Sequence, residues 1–169
     1  MSESEKIRLE HQAARLFMRI YEREYQVEMR HIWHNEPRKP DVTCYFDHQK
    51  LDLEIAHLYG STEEAQDLLG RELSAETRQR LDHLRQAAPD HRLLEALNQL
   101  LANKGEKYYH SEQTWLVIRN VNPLWKRTDF EDNIHLIQLP ESHPFEQIWL
   151  LGDMEGMSGI LQLYPDGRF

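Results

Sequence analysis

The chain has a single cysteine, Cys44, among its 169 residues. That excludes an internal disulfide and a zinc site built from cysteines alone. Glycine and proline are sparse, at 7 each, and no internal repeat interrupts the pattern, which excludes collagen-like and low-complexity chains. No apolar run approaches the ~20 residues of a membrane-spanning helix. The start, Met1 to Lys6, is polar and acidic rather than apolar, unlike a secretory signal. A cytoplasmic protein without membrane attachment is therefore expected. Cations are also scarce: 20 Lys and Arg stand against 29 Asp and Glu, a net charge of −9. Nonspecific coating of nucleic acid needs clustered Lys and Arg, so that class is excluded, and any phosphate contact must be local. The deficit is uneven, since residues 1–40 carry +1 and the remainder −10.

What is present suffices for one folded domain spanning 1–169. Hydrophobic residues make up 40% of the chain, enough for a core, and the length fits a single domain. Glu5 to Tyr25 reads as a helix, with Ile7, Ala14, Phe17, Met18 and Tyr21 at helical spacing. Gln26 to Trp33 alternates like a strand, and Asn35 to Pro40, with two prolines, is a connector. Asp41 to Phe46 and Leu51 to Leu58 form the clearest strand pair, with Asp47 to Lys50 as a polar turn. From Gly60 to Gly105 the pattern is helical, with Ser61 or Thr62 as cap. A break at Pro89-Asp90 precedes a stripe of Leu93, Leu94, Leu97, Leu100 and Leu101. Thr114 to Val121 is nearly continuous apolar sequence, as for a strand covered on both faces. A helix from Asp129 to about Ile137, capped by Thr128, and strands Phe145 to Leu151 and Ser158 to Tyr164 complete the chain. The order predicts an α/β fold, a mixed sheet flanked by helices.

The hairpin carries the chemistry. An even turn centred between His48 and Gln49 sets Glu54 opposite Thr43, Asp52 opposite Tyr45 and Asp41 opposite Ala56. Period-two alternation then puts Asp41, Thr43, Asp52 and Glu54 on one face, and Val42, Cys44, Phe46, Leu51, Leu53 and Ile55 on the other. Asp41 and Glu54 become diagonal neighbours, roughly 7–8 Å apart at most. Two carboxylates so placed can share Mg²⁺, which prefers oxygen ligands. Acids alternating with apolar residues also describe any half-solvated hairpin. Against that, Asp and Glu are depleted in strands, and the helix-rich segment that follows can cover this face.

Lys39-Pro40-Asp41-Val42-Thr43-Cys44 followed by Leu51-Asp52-Leu53-Glu54-Ile55-Ala56 resembles the PD-(D/E)xK superfamily of restriction-endonuclease-like nucleases. The likeness extends to element order over most of the chain. It implies that Asp41 and Glu54 hold Mg²⁺ or Mn²⁺, with Glu10 on the leading helix as a third ligand, and that the substrate is DNA or RNA. It also implies a lysine two residues after the glutamate, where this chain has Ala56. Lys104 or Lys107 can supply that cation from a neighbouring helix, as some members appear to do. A lysine at a helix C-terminus is also what the helix dipole favours.

The ten histidines form no His-Glu-x-x-His or zinc-finger pattern and are expected mostly at the surface. Cys44 falls on the core side as an inert thiol. Trp33, Trp115, Trp125 and Trp149 read as packing residues. The Gly152 to Gly159 loop has no phosphate-loop lysine and reads as a flexible connection. Two functions follow. One is a metal-dependent nuclease hydrolysing phosphodiester bonds. The other is a catalytically silent member of that fold used for protein binding or assembly, with an acidic helical surface from Glu63 to Glu95 as docking face. A homodimer is the default assembly.

Overall fold

A computed structural model describes residues 2–35, 40–60, 89–109 and 111–165. Helix α1 runs Glu3–Tyr25. Its start is fixed by a capping box: Ser2 Oγ accepts the Glu5 N–H at 3.2 Å, and the Glu5 carboxylate accepts the Ser2 N–H at 3.2 Å. Its end is set by Gln26 in the left-handed region at φ 58°. Strands β1 (Met29–His34), β2 (Val42–Phe46) and β3 (Gln49–Leu58) follow. After them come α2 (Pro89–Gly105), β4 (Thr114–Asn120), the short α3 (Arg127–Asp132), β5 (Gln147–Leu151) and β6 (Ile160–Tyr164). The expected cap at Ser61 or Thr62, the helical run through residue 88 and most of the proposed acidic docking face lie outside the described residues.

The six strands form one sheet in sequence order, β1-β2-β3-β4-β5-β6. The β3–β4 and β4–β5 pairs are parallel and the others antiparallel, so this is a mixed α/β fold. The parallel pairs require a crossover, and α2 supplies it between β3 and β4. Two cores result, one per face. Phe17 and Tyr21 of α1 pack on Leu53, Trp115, Val117 and Trp149. Leu93, Leu97 and Leu101 of α2 pack on Leu116, Ile118 and Leu150. All seven residues of β4 are buried, as its continuous apolar sequence requires.

Three details differ from the sequence reading. The β2–β3 turn is the two-residue Asp47-His48, with φ 47° and 69°, and not a four-residue turn. Positive φ at both positions matches the twist a two-residue hairpin needs. Thr43 therefore faces Asp52, and Cys44 faces Leu51. The helix expected from Asp129 begins at Arg127 and breaks after Asp132 into a 3₁₀ turn, Ile134–Leu136. Asp129 is itself the starting device, its carboxylate accepting the Lys126 N–H at 2.8 Å. Trp33 is 40% exposed, set against Tyr45 on the sheet edge rather than in the core. No helix among the described residues is long and apolar enough to cross a membrane.

Candidate functional site

The corrected register tightens the site. A slip of two residues keeps every side chain on its face, and it moves Asp41 from a diagonal to a position opposite Glu54. The two are locked reciprocally across the strands. The Asp41 N–H donates to Glu54 Oε1 at 3.2 Å, and the Ile55 N–H donates to Asp41 Oδ2 at 2.9 Å. The acidic face of the hairpin is not solvated. Asp52 and Glu54 are each only 6% exposed, because α2 and the segment after it cover this side of the sheet.

Buried carboxylates need partners, and Glu54 has a cation. Lys104 Nζ, from the last turn of α2, lies 3.0 Å from Glu54 Oε2. The Tyr109 hydroxyl donates to the same oxygen at 2.6 Å. Lys104 therefore places an ammonium beside the acid pair although Ala56 holds the motif position. Lys107 lines the same cavity. So do Glu10, His34, Asp41 and Glu54, around a volume of about 470 Å³. All the residues singled out from the sequence thus meet at one place, Glu10 by way of a buried position on α1.

The electrostatics of the acid pair are asymmetric. Asp41 is pushed up to about 9 by burial, by the Glu54 charge and by its hydrogen bond to Glu54, against the opposing Ile55 N–H. Burial pushes Glu54 up as well, but the hydrogen bond from Asp41, the Lys104 ammonium and the Tyr109 hydroxyl outweigh it. Glu54 is held below the usual range. Two adjacent carboxyls share one proton, and it resides on Asp41. Tyr109 is raised by burial and by the Glu54 charge, so its hydroxyl remains a donor.

Two residues of the site were given no metal or catalytic role from sequence. His34 Nε2 lies 3.1 Å from Glu10 Oε2, and its ring stacks on His11. Its only signal was its position at the end of β1, which pairs with Val42 and so lies next to Asp41. Tyr109, in the aromatic pair before β4, reads from sequence as a groove-lining or a packing residue, and it lines the cavity. The Cys44 expectation holds: it is buried, and burial raises its thiol to about 12.

No family model matches the chain, and no curated protein or solved structure does either. What the fold and the site define together is a mixed α/β protein in which two adjoining carboxyls and a lysine open into one cavity.

Proposed function

We propose that the chain is a metal-dependent phosphodiesterase acting on nucleic acid, with the restriction-endonuclease-like fold that its Pro-Asp…Glu strands resemble. The observation that carries this reading is the Lys104 ammonium 3.0 Å from Glu54, next to Asp41. It restores the acid–acid–lysine set from another element. Among oxygen donors, Asp41, Glu54 and Glu10 suit Mg²⁺ or Mn²⁺ in chemistry and in placement around one cavity. Such an ion, when bound, supplies Lewis acidity and lowers the pKa of its water. The protein's own groups do the rest. Lys104 offsets negative charge that develops on a phosphate at the cavity. Tyr109 and the Asp41 N–H hold the Glu54 carboxylate in one orientation. Asp41, protonated as it stands, would release that proton to solvent on holding such an ion.

A second reading, a silent protein-binding member of the same fold, is favoured by one observation. Glu54 is already neutralised internally and Asp41 carries a proton, so the acid pair is satisfied as it stands. Cleavage assays separate the two. Single- and double-stranded DNA and RNA are incubated with Mg²⁺ or Mn²⁺ and wild type, Asp41→Ala, Glu54→Ala or Lys104→Met. Cleavage by wild type, lost in all three variants, is expected. No cleavage under either metal, or equal cleavage in all four, removes the enzymatic reading.

A further inference from the structure

Of the two oxygens on Glu54, one is bonded by Lys104 and Tyr109 and the other by the Asp41 N–H. It is the most occupied carboxylate in the cavity. The open donors lie to one side, where Glu10, His34 and Asp41 each present one ligand atom and all three atoms lie within 4.8 Å of one another. A cation bonded at about 2.1 Å spans ligand atoms from about 3 Å apart, when adjacent, to about 4.2 Å, when opposite. The 3.1 Å between His34 Nε2 and Glu10 Oε2 matches an adjacent pair. The rest of the trio needs closure by a few tenths of an ångström.

We infer that this trio is a divalent-cation site, sharing Glu10 and Asp41 with the set the proposed function assigns but taking His34 in place of Glu54, and that its imidazole selects a borderline transition cation, Zn²⁺ or Mn²⁺, over Mg²⁺. Hard Mg²⁺ favours oxygen and water, whereas imidazole suits the transition metals. The trio is pre-arranged. Pairing of His34 with Val42 brings His34 beside Asp41, and Asn35, next to His34, bonds the Asp41 carbonyl through its N–H at 2.9 Å and the Pro40 carbonyl through Nδ2 at 2.8 Å. The His11 ring stacked on His34 sets its tilt, at a centroid distance of 5.5 Å.

The alternative is that His34 and Glu10 form a plain ion pair. Calorimetric titration of the full chain with ZnCl₂, MnCl₂ and MgCl₂ separates the two, using wild type, His34→Ala and Glu54→Gln, with circular dichroism melts to confirm folding. One equivalent of Zn²⁺ and of Mn²⁺ is expected to bind at least about tenfold more tightly than Mg²⁺. His34→Ala removes that margin, at a loss of about 10–100-fold for the transition cations. Glu54→Gln keeps it. Pulsed electron paramagnetic resonance of bound Mn²⁺ shows a nitrogen coupling in wild type that His34→Ala abolishes. Equal affinity for Mg²⁺, a margin that survives in His34→Ala, or no binding overturns the inference. The inference rests on the nuclease reading for Glu10 and Asp41, but the two fail separately. Tight Zn²⁺ or Mn²⁺ binding without cleavage sinks only the enzymatic reading. Mg²⁺-driven cleavage untouched by His34→Ala sinks only this one.

Discussion

Strand β3 buries two acids on one face, two residues apart, and treats them differently. Asp52 is closed off. It accepts the Thr43 hydroxyl at 2.6 Å and the Ser111 hydroxyl at 2.6 Å, both neutral. Glu54, equally buried, accepts from an ammonium, a phenol and a backbone N–H, and its neighbourhood opens into a cavity. Burial of a carboxylate is therefore not what marks the site. The mark is the company it keeps: a second carboxyl opposite, a cation within contact, and room for a ligand. Asp52 shows what the same strand does with an acid used to tie elements together.

The sharpest way to break this contrast is to compare the two stations in the same cleavage assay. Lys104→Met removes the ammonium that faces developing phosphate charge and should lower cleavage by about 10²–10³-fold. Asp52→Asn should leave the rate within a few-fold. Similar losses in both would mean that the acids act as one structural network and that the distinction drawn here is false.

The ranking reverses for stability. Asp52→Ala strands the buried Thr43 hydroxyl and takes an acceptor from the half-buried Ser111 hydroxyl, which also reaches the Gln113 carbonyl at 3.1 Å, and should cost about 1–3 kcal/mol in urea unfolding at neutral pH. Asp41→Asn should go the other way. Burial and the Glu54 charge hold Asp41 at about 9, so at pH 7 the folded state retains a proton that the unfolded chain releases, and this linkage destabilises the fold. An asparagine amide can accept the Ile55 N–H and donate to Glu54 with no charge to suppress. The variant should gain about 1–2 kcal/mol. A loss of stability would show that Asp41 is ionised in the folded protein and that the assigned proton is misplaced.

The pairing of Asp41 with Glu54 was legible because strand alternation sets both acids on one face for any even turn. The turn itself was not. Asp47 and His48 both adopt positive φ without a glycine to announce it. The resulting error of two residues was harmless, since a slip of one would have put Asp41 and Glu54 on opposite faces and a slip of two did not. Lys104 was legible only as one of two candidates. Its arrival depends on how α2 crosses the sheet, fifty positions from Glu54 in the chain. His34 was not legible at all. Its contact with Glu10 is made by α1 lying against β1, and neither element's sequence states which of ten histidines meets that helix.

A third station on β3 extends the comparison to the opposite face. His57 follows Glu54 by three residues, is Cα partner to Arg119 on β4, and leaves Nε2 buried without a hydrogen-bond partner. Burial and the Arg119 charge hold its imidazole at about 4. The unfolded chain has an ordinary histidine, so between about 6.5 and about 4 it takes up a proton that the folded state refuses. Stability from this group is complete above about 6.5 and is lost as pH falls through that window. His57→Gln cannot titrate, so its thermal melts between pH 4 and 8 should show a shallower acid decline than wild type. The difference should approach about 2 kcal/mol near pH 5. Part of the wild-type decline will persist, because His11 and His143 are also lowered by burial and act in the same direction. Parallel melting profiles would mean that His57 meets water in the folded protein and that this part of β3 is more open than its packing indicates.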